Sequence, residues 1–289
     1  MNDKIFSLPI KSEFSSTLSQ RQIDQLPVIV VDHPQVRAAV TLQGAHLLHW
    51  QPLGEQPVLW LSDNTPFTEG VAIRGGVPIC FPWFGPFAEP NHGFARLLPW
   101  EFTAHREDAE GVELTFTLRD TPETLASWPH AFTLTARFKL GKTCTIELEA
   151  QGDYSITSAL HTYFQIGDID HIHVSGLGDT FIDKVNQGKL TVQGGDLTFK
   201  ERTDRIYTHP QAISTIVDPT LKRTIEVHHT HHSDTVAWNP AAELSKTIAD
   251  MPDDGYKTFV CVETARVTQP FVATPTAPAR LSTVISVKR

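Results

Sequence analysis

Hydrophobic and polar residues alternate along most of this chain, so the dominant period is two rather than 3.6. The alternation is clearest over residues 112–118, 132–140 and 144–150. In the first of these segments every second residue from Val112 to Leu118 is apolar. A period of two is typical of a half-buried antiparallel strand. Each segment is therefore predicted to be a strand.

The same pattern recurs in shorter segments separated by turns rich in Gly, Pro, Asn and Asp. These further strands are predicted at residues 28–31, 36–42, 190–199, 223–228, 258–264 and 280–287. Helices are predicted only at residues 16–26 and 241–249. No repeat, low-complexity tract or linker divides the chain. The sequence thus predicts a mostly β fold of antiparallel strands with few short helices. A single domain is expected over residues 1–289, with residues 1–24 as an N-terminal extension packed on it.

Residues 64–99 break the alternation. This segment contains six prolines, and Phe81, Trp83 and Phe84 lie among them. Such a density of Pro and Gly excludes long regular elements. Long irregular loops in compact domains are usually functional or disordered, and the aromatic residues argue against disorder. The segment is therefore the first candidate for a functional site.

Composition narrows the class of protein. The chain has 289 residues, with 24 Lys and Arg against 33 Asp and Glu, which gives a net charge of −9. An acidic chain is a poor partner for nucleic acid or for an anionic membrane, both of which need a basic surface. The three cysteines are far apart in sequence and odd in number, which favours a reducing compartment without disulfides. The N-terminus lacks the apolar core of a signal peptide, so a cytoplasmic protein is expected.

The usual cofactor motifs are missing. There is no phosphate-binding loop of the G-x-x-x-x-G-K-[ST] type, and Gly176 and Gly178 lack the third glycine of a dinucleotide site. No G-x-S-x-G elbow is present either. The sequence therefore predicts no cofactor.

Histidines could instead suggest a metal site. On a strand, residues 228–232 would place pairs of histidines on each face, but the sequence favours a solvated edge strand or loop. His171 and His173 resemble the H-x-H of a metal-binding cupin barrel, but the glutamate expected shortly afterwards is absent. The sequence predicts no metal and assigns no role to residues 228–232.

His161 and Glu263 are stronger candidates for chemistry. In residues 155–166 the even positions are mainly apolar, so His161 projects from the other, partly aromatic face as a cleft-lining residue would. A histidine hydrogen-bonded on a sheet face is the alternative. Glu263 follows an apolar strand and either reaches water or is desolvated. Desolvation would raise its pKa and make it a usable base.

Arg74 and Arg96 lie beside glycines within the irregular segment. Glycine lets the backbone approach a ligand closely, and guanidinium suits recognition of phosphate or carboxylate. Pairing with acidic neighbours such as Glu69 or Glu89 is the alternative.

Taken together, these residues resemble a known family. The strings RGGVPICFPWFG (residues 74–85), NHGFAR (91–96), HTYF (161–164), WNP (238–240) and FVCVE (259–263) occur in family order. They are similar to the glucose-6-phosphate 1-epimerase (D-hexose-6-phosphate mutarotase) branch of the aldose 1-epimerase family, and the resemblance covers roughly residues 25–288. It implies a galactose-mutarotase-like β-supersandwich in one domain.

The resemblance also implies roles for individual residues. His161 would be the general acid, Glu263 the general base, and His92 a second active-site histidine that contacts the sugar or assists protonation of its ring oxygen. The residues implied to bind the substrate are Arg74 and Arg96 at the sugar phosphate, together with Asn91, Asp204 and Asp234. Many relatives have Gln where this chain has Asn91.

The implied activity is an isomerase that interconverts the α and β anomers of D-glucose 6-phosphate and related hexose 6-phosphates, with no cofactor. Ring opening needs one acid and one base, and no redox group or nucleophile. The alternatives are an aldose 1-epimerase for free hexoses, a non-catalytic sugar-phosphate-binding protein on the same fold, and a cupin-like metal enzyme using His171 and His173. A monomer with no nucleic-acid or membrane partner is expected. The sequence does not rank glucose, galactose and mannose 6-phosphates.

Overall fold

The first five strands of the chain form one antiparallel sheet in the computed structural model, which describes residues 2–289. In their hydrogen-bonded order they are β1 (Ser12–Glu13), β2 (Leu18–Ile23), β3 (Leu26–His33), β4 (Val36–Thr41) and β5 (His46–Pro52). Strands β1 and β2 lie within residues 1–24, so this part of the chain contributes paired strands to the sheet.

The helix predicted over residues 16–26 is wrong, because β2 occupies its centre. Leu18 and Ile23 are buried, and β2 pairs with β3 from Leu18 opposite Val31 to Ile23 opposite Leu26. A tight turn at Asp24, with a φ of 48°, reverses the chain between the two strands. Pairing with an apolar neighbour strand therefore outweighs the helical tendency of this polar segment.

The remaining strands form two further antiparallel sheets of eight strands each. In chain order they are β6 (Ile79–Cys80), β7 (Glu101–Asp108), β8 (Gly111–Arg119), β9 (Phe132–Gly141), β10 (Cys144–Gly152), β11 (Tyr154–Leu160), β12 (Tyr163–Gln165), β13 (His173–Ser175), β14 (Thr180–Asp183), β15 (Lys189–Val192), β16 (Thr203–Tyr207), β17 (Ile213–Asp218), β18 (Arg223–Thr230), β19 (Asp234–Asn239), β20 (Phe259–Ala273) and β21 (Ala279–Lys288).

The second sheet has the order β13-β17-β18-β21-β10-β9-β8-β7. The third has the order β15-β14-β16-β19-β20-β11-β6, and β12 also pairs with β20. The strands predicted from the alternation are confirmed, except that the segment at 190–199 is a strand only as far as Val192. Gly194 and Gly195 follow there, and glycine is unfavourable in a strand.

Helices are few and short, as predicted. They are α1 (Asn2–Ser7), α2 (Pro122–Ser127) and α3 (Ala241–Ser245), with 3₁₀ turns at Ala95–Leu97 and Gly255–Thr258. The helix predicted at 241–249 is confirmed but ends at Ser245. No helix within residues 2–289 has the length and apolar character needed to cross a membrane. The mostly β, antiparallel fold class is confirmed.

A continuous apolar core joins the three sheets. It includes Trp50 from the first sheet, Phe116 and Phe138 from the second, and Phe164 and Phe181 from the third. These rings are fully buried, and aromatic side chains contribute large areas to a core.

The irregular segment at residues 64–99 is tied to this core. Phe81 is fully buried, and its ring contacts those of Phe94, Trp128, Phe132 and Tyr154 at centroid distances of 5.4–6.3 Å. Gly93 has a φ of 73°, and a Cβ there would lie 2.1 Å from the carbonyl oxygen of Phe81. Only glycine can lie this close to the Phe81 carbonyl with such a φ, so the close contact fixes the backbone next to His92.

Candidate active site

A cleft with a volume of about 240 Å³ opens between the third sheet and the irregular segment. Seven of the eight residues singled out from the sequence line it. They are Arg74, Asn91, His92 and Arg96 from the irregular segment, and His161, Asp204 and Glu263 from the sheet. A larger cavity of about 640 Å³ lies beside α3 and contains none of them.

Strand register explains why the sheet residues meet. Glu263 lies opposite Val236, while Trp238 lies opposite both Cys261 and Asp204. Residues that face each other across antiparallel strands share a face, and so do residues two apart on one strand. Glu263, Cys261, Trp238 and Asp204 therefore project from the same side of the sheet.

His161 joins this face at a break in the sheet. Strand β11 ends at Leu160 and β12 begins at Tyr163, so His161 does not lie within a continuous strand as predicted. Its amide donates a hydrogen bond to the carbonyl of Pro78 at 2.9 Å. Its ring stacks on that of Tyr163, with centroids 5.0 Å apart and planes 12° apart. These contacts fix the direction of the imidazole.

The His161–Glu263 pair lies at the buried end of the cleft. Nδ1 of His161 is 3.4 Å from Oε1 of Glu263, and the two residues are 8% and 1% exposed. Nδ1 of His161 and Oε2 of Glu263 have no hydrogen-bond partner among the described residues. Glu263 lies in the interior of β20, so it is the desolvated acid of the two alternatives and not a strand-end charge in water.

The environment pushes the two pKa values in opposite directions. Burial raises the pKa of the Glu263 carboxyl well above its usual range, and the nearby Asp204 raises it further. Burial lowers the pKa of His161 well below its usual range, and His92 and the cleft arginines lower it further. Both shifts favour a neutral carboxylic acid and a neutral imidazole over an ion pair between them. The pair therefore holds one transferable proton.

His92 is held in one tautomer. The Gly85 amide donates to its Nδ1 at 3.1 Å, and the Cys80 Sγ lies 3.4 Å from the same atom. A ring nitrogen that accepts from an amide carries no proton, so the proton of a neutral ring is on Nε2. Burial lowers the pKa of His92 to about 3, and the positive charge of Arg96 contributes. At neutral pH His92 is thus a neutral imidazole that presents its Nε2–H as a hydrogen-bond donor.

The three cations of the cleft differ in their partners. Arg74 is held by Asp250, with its Nε 3.0 Å from Oδ1, and its Nη1 donates to the Tyr163 hydroxyl at 3.1 Å. Arg96 donates from Nη2 to the carbonyl of Asn91 at 2.7 Å. Within residues 2–289, no carboxylate lies at ion-pair distance from Arg96 or from the neighbouring Lys184. The cleft therefore contains two cations that form no ion pair with a described carboxylate.

The acidic candidates separate into one inside the cleft and one outside it. Asp204 lines the cleft, and burial raises its pKa. Asp234 shares the face of β19 that carries Val236, but it does not line the cleft and is fully buried beside it. Its carboxylate accepts from the amides of Val267 and Thr268 at 2.7 and 2.9 Å, and from the hydroxyls of Ser233 and Thr268. These bonds tie Asp234 to the backbone of β20.

Four residues that line or support the cleft were not assigned a role from the sequence. Tyr163 and Trp238 lay within recognised strings but had no function attached to them. Lys184 follows β14 and Asp250 lies in the turn after α3, and neither stands in a recognisable pattern. Only the three-dimensional arrangement identifies these last two.

Among the described residues, none of the histidine clusters considered as metal sites brings three ligand atoms together. His171 lies 3.1 Å from Asp168, and His173 lies 3.7 Å from Asp196. His229 is buried between the hydroxyls of Thr264 and Ser214, at 2.7 and 2.9 Å. These contacts give His229 a structural explanation within the sandwich.

Comparison with known proteins finds several similar chains. Two relatives named "Putative glucose-6-phosphate 1-epimerase", from Salmonella typhimurium and Escherichia coli, are 59% and 57% identical to this chain, and in both cases the match covers 100% of each chain. The crystal structure of a "putative mutarotase (YeaD)" from Salmonella typhimurium has a TM-score of 0.98 and covers 100% of this chain and 99% of its own.

The family model described as aldose 1-epimerase matches residues 27–286. The resemblance inferred from the sequence strings is therefore confirmed. The chain belongs to the aldose 1-epimerase family.

Proposed function

We propose that this protein interconverts the α and β anomers of D-glucose 6-phosphate. The observation that carries the proposal is the placing of Arg96 and Lys184, without carboxylate partners, in the same small cleft as the buried His161–Glu263 pair. A dianionic phosphate would neutralise these cations, and a hemiacetal would meet the pair. The names of the two bacterial relatives agree with this substrate.

The phosphate also sets the protonation state of the pair. Arg96 contributes to the low pKa of His161, so a phosphate bound to Arg96 removes part of that effect. In the proposed complex the shared proton moves from Glu263 to His161. The pair then consists of an imidazolium acid and a carboxylate base, as the family resemblance implies.

Ring opening uses both groups at once. The Glu263 carboxylate takes the proton of the C1 hydroxyl while the His161 imidazolium donates its proton to the ring oxygen O5, and the C1–O5 bond breaks. Both oxygens are bonded to C1, which suits two catalytic groups whose nearest atoms are 3.4 Å apart. His92 donates a hydrogen bond from Nε2 to a sugar oxygen and stays neutral throughout.

Ring closure reverses the roles. The aldehyde rotates about the C1–C2 bond, and the C5 hydroxyl attacks the opposite face of C1. His161 takes the proton from that hydroxyl, and the protonated Glu263 returns a proton to the aldehyde oxygen. The phosphate held by the cations keeps the open chain in place during the rotation. The cycle ends in its starting protonation state.

The decisive experiment is exchange NMR of anomer interconversion. We would compare glucose 6-phosphate with glucose, and then with galactose and mannose 6-phosphates, after subtracting the spontaneous rate in buffer. Acceleration that strongly favours the phosphorylated sugar is expected, and it is expected to vanish in His161→Ala and Glu263→Gln.

Other outcomes point to the alternatives. Equal acceleration of glucose and glucose 6-phosphate would indicate an epimerase for free hexoses. Binding of glucose 6-phosphate without acceleration would indicate a non-catalytic sugar-phosphate-binding protein. Substantial activity in either variant would refute the roles of the pair.

A further inference from the structure

Cys261 lies beside the His161–Glu263 pair and has no part in the proton transfers proposed above. It is fully buried on the same face of β20 as Glu263, two residues away. His161, Cys261 and Glu263 each present one donor atom, and these three atoms all lie within 4.8 Å of one another. Within residues 2–289, no other group of three or more His, Cys, Asp or Glu residues is arranged in this way.

The spacing of these donors is close to that of a tetrahedral zinc site. With zinc–nitrogen and zinc–oxygen bonds of about 2.1 Å, a tetrahedral ion holds two such ligands roughly 3.4 Å apart. Nδ1 of His161 and Oε1 of Glu263 are 3.4 Å apart. The Cys261 sulfur lies within 4.8 Å of both atoms and supplies the third ligand when it moves closer to the ion.

Two of the donor groups also lack a partner. Nδ1 of His161 and Oε2 of Glu263 are buried and make no hydrogen bond to any described residue. Buried polar atoms are normally satisfied, so such a pair points to a bound proton, water or ion between them. A cation held by nitrogen, sulfur and carboxylate oxygen would satisfy both residues.

The charge of the cleft does not exclude a cation. Three cations, Arg74, Arg96 and Lys184, are balanced by three carboxyl groups when all are ionised, those of Asp204, Asp250 and Glu263. A thiolate at Cys261 would add one negative charge. A mixed nitrogen, sulfur and oxygen set favours zinc and similar borderline-soft ions over magnesium.

We propose that His161, Cys261 and Glu263 form an inhibitory site for a borderline-soft divalent cation such as Zn²⁺. The ion bonds to the imidazole nitrogen, the thiolate and the carboxylate, and the thiol and carboxyl protons pass to solvent. The inhibition rests on the proposed function, because the ion occupies the atoms that would move protons in the reaction. The binding itself does not depend on that function.

Binding is tested first, without a turnover assay. Chelator-treated protein is titrated with Cd²⁺, whose bond to a thiolate gives a charge-transfer absorption in the ultraviolet, and Zn²⁺ is then used as a competitor. Because the band reports thiolate ligation, ions held by the histidines of residues 228–232 do not contribute to it. Saturation at one ion per chain is expected, with no competition from Mg²⁺.

Variants locate the site. Cys261→Ser is expected to lose the absorption band. Its affinity is measured by isothermal titration calorimetry and is expected to fall at least tenfold, because loss of an outer-shell partner already weakens metal binding by about 10–100-fold. Cys144→Ser is the matched control, because Cys144 is also buried and unpaired but lies in the second sheet. His161→Gln provides a second test if Cys261→Ser does not fold, as judged by circular dichroism.

The results separate the two proposals. Equal affinities in wild type, Cys261→Ser and His161→Gln, or no cation-induced band in wild type, would overturn the metal site. Turnover that is unchanged with the ion bound would overturn the inhibition. If Cd²⁺ binds as described but the protein accelerates no sugar, the metal site stands and the proposed function fails.

Discussion

Replacing Glu263 with glutamine is expected to raise stability at neutral pH while abolishing turnover. The carboxyl is 1% exposed, and burial raises its folded pKa well above the usual range. The folded protein therefore keeps this proton at pH values where the unfolded chain has lost it. Folding then takes up a proton, so the stability of the wild type falls as pH rises above the unfolded pKa of about 4.3. A glutamine side chain does not titrate, so it adds no such pH dependence to the free energy of unfolding.

The magnitude follows from this linkage. Between the unfolded and folded pKa values, each pH unit removes about 1.4 kcal/mol from the wild type relative to the variant. Below about pH 4 the carboxyl is protonated in both states, and the difference is constant. His161 has the opposite sign, because its lowered folded pKa adds stability as pH rises toward its unfolded pKa of about 6.5. Measurements above that pH isolate Glu263.

The assay is urea denaturation of wild type and Glu263→Gln across a pH series, with Glu243→Gln as the control. Glu243 is exposed on α3, and its replacement is expected to give a curve parallel to that of the wild type. A widening gap in the free energy of unfolding between wild type and Glu263→Gln supports a protonated Glu263. Parallel curves, or a variant that is less stable than wild type above pH 6.5, would refute the reasoning.

Three further predictions follow from the same contacts. Lys184→Met should lower kcat/KM for glucose 6-phosphate by about 10–100-fold, which corresponds to one or two charged hydrogen bonds, and should leave kcat/KM for glucose almost unchanged. Exchange NMR measures both values, and equal losses with the two sugars would contradict a phosphate contact. His92→Gln keeps a hydrogen-bond donor near the position of Nε2 and should retain roughly tenfold more activity than His92→Leu. The wild-type pH profile should show no ionisation of His92 above pH 5, because the pKa of His92 is about 3. Asp234→Asn should lower the free energy of unfolding by about 1–3 kcal/mol and leave KM unchanged. A raised KM at unchanged stability would instead indicate that Asp234 binds the substrate.

The sequence predicted those parts of the fold that depend on local pattern. Alternation over residues 112–118, 132–140 and 144–150 predicted three adjacent strands, because half-buried strands need that period. The same rule placed His161 on a cleft face, although it could not show that β11 stops one residue earlier. The helix predicted over residues 16–26 is wrong because the conformation of this segment is set by its pairing with β3. A local sequence pattern carries no information about that pairing.

The site was predictable only where residue type and motif coincided. Arg74 was a phosphate candidate from its flanking glycines, but its ion pair with Asp250 joins residues 176 positions apart and has no local signal. Lys184 is an ordinary surface-type residue until the fold brings it to the cleft. Asp234 shows another limit of the sequence, because its place near the WNP string does not reveal the amides of Val267 and Thr268 that bind its carboxylate.

The order of strands has a consequence for how the protein is made. Strand β20 separates β19 from β11 in the third sheet, and β21 separates β18 from β10 in the second. Both large sheets are therefore completed only by β20 and β21, and β20 also carries Glu263. A nascent chain that stops before β20 has two incomplete sheets and lacks the base of the proposed reaction, so under that proposal activity appears only after both strands are made. A split of the gene before β20 would accordingly give an inactive large fragment that a peptide of the last two strands could complete.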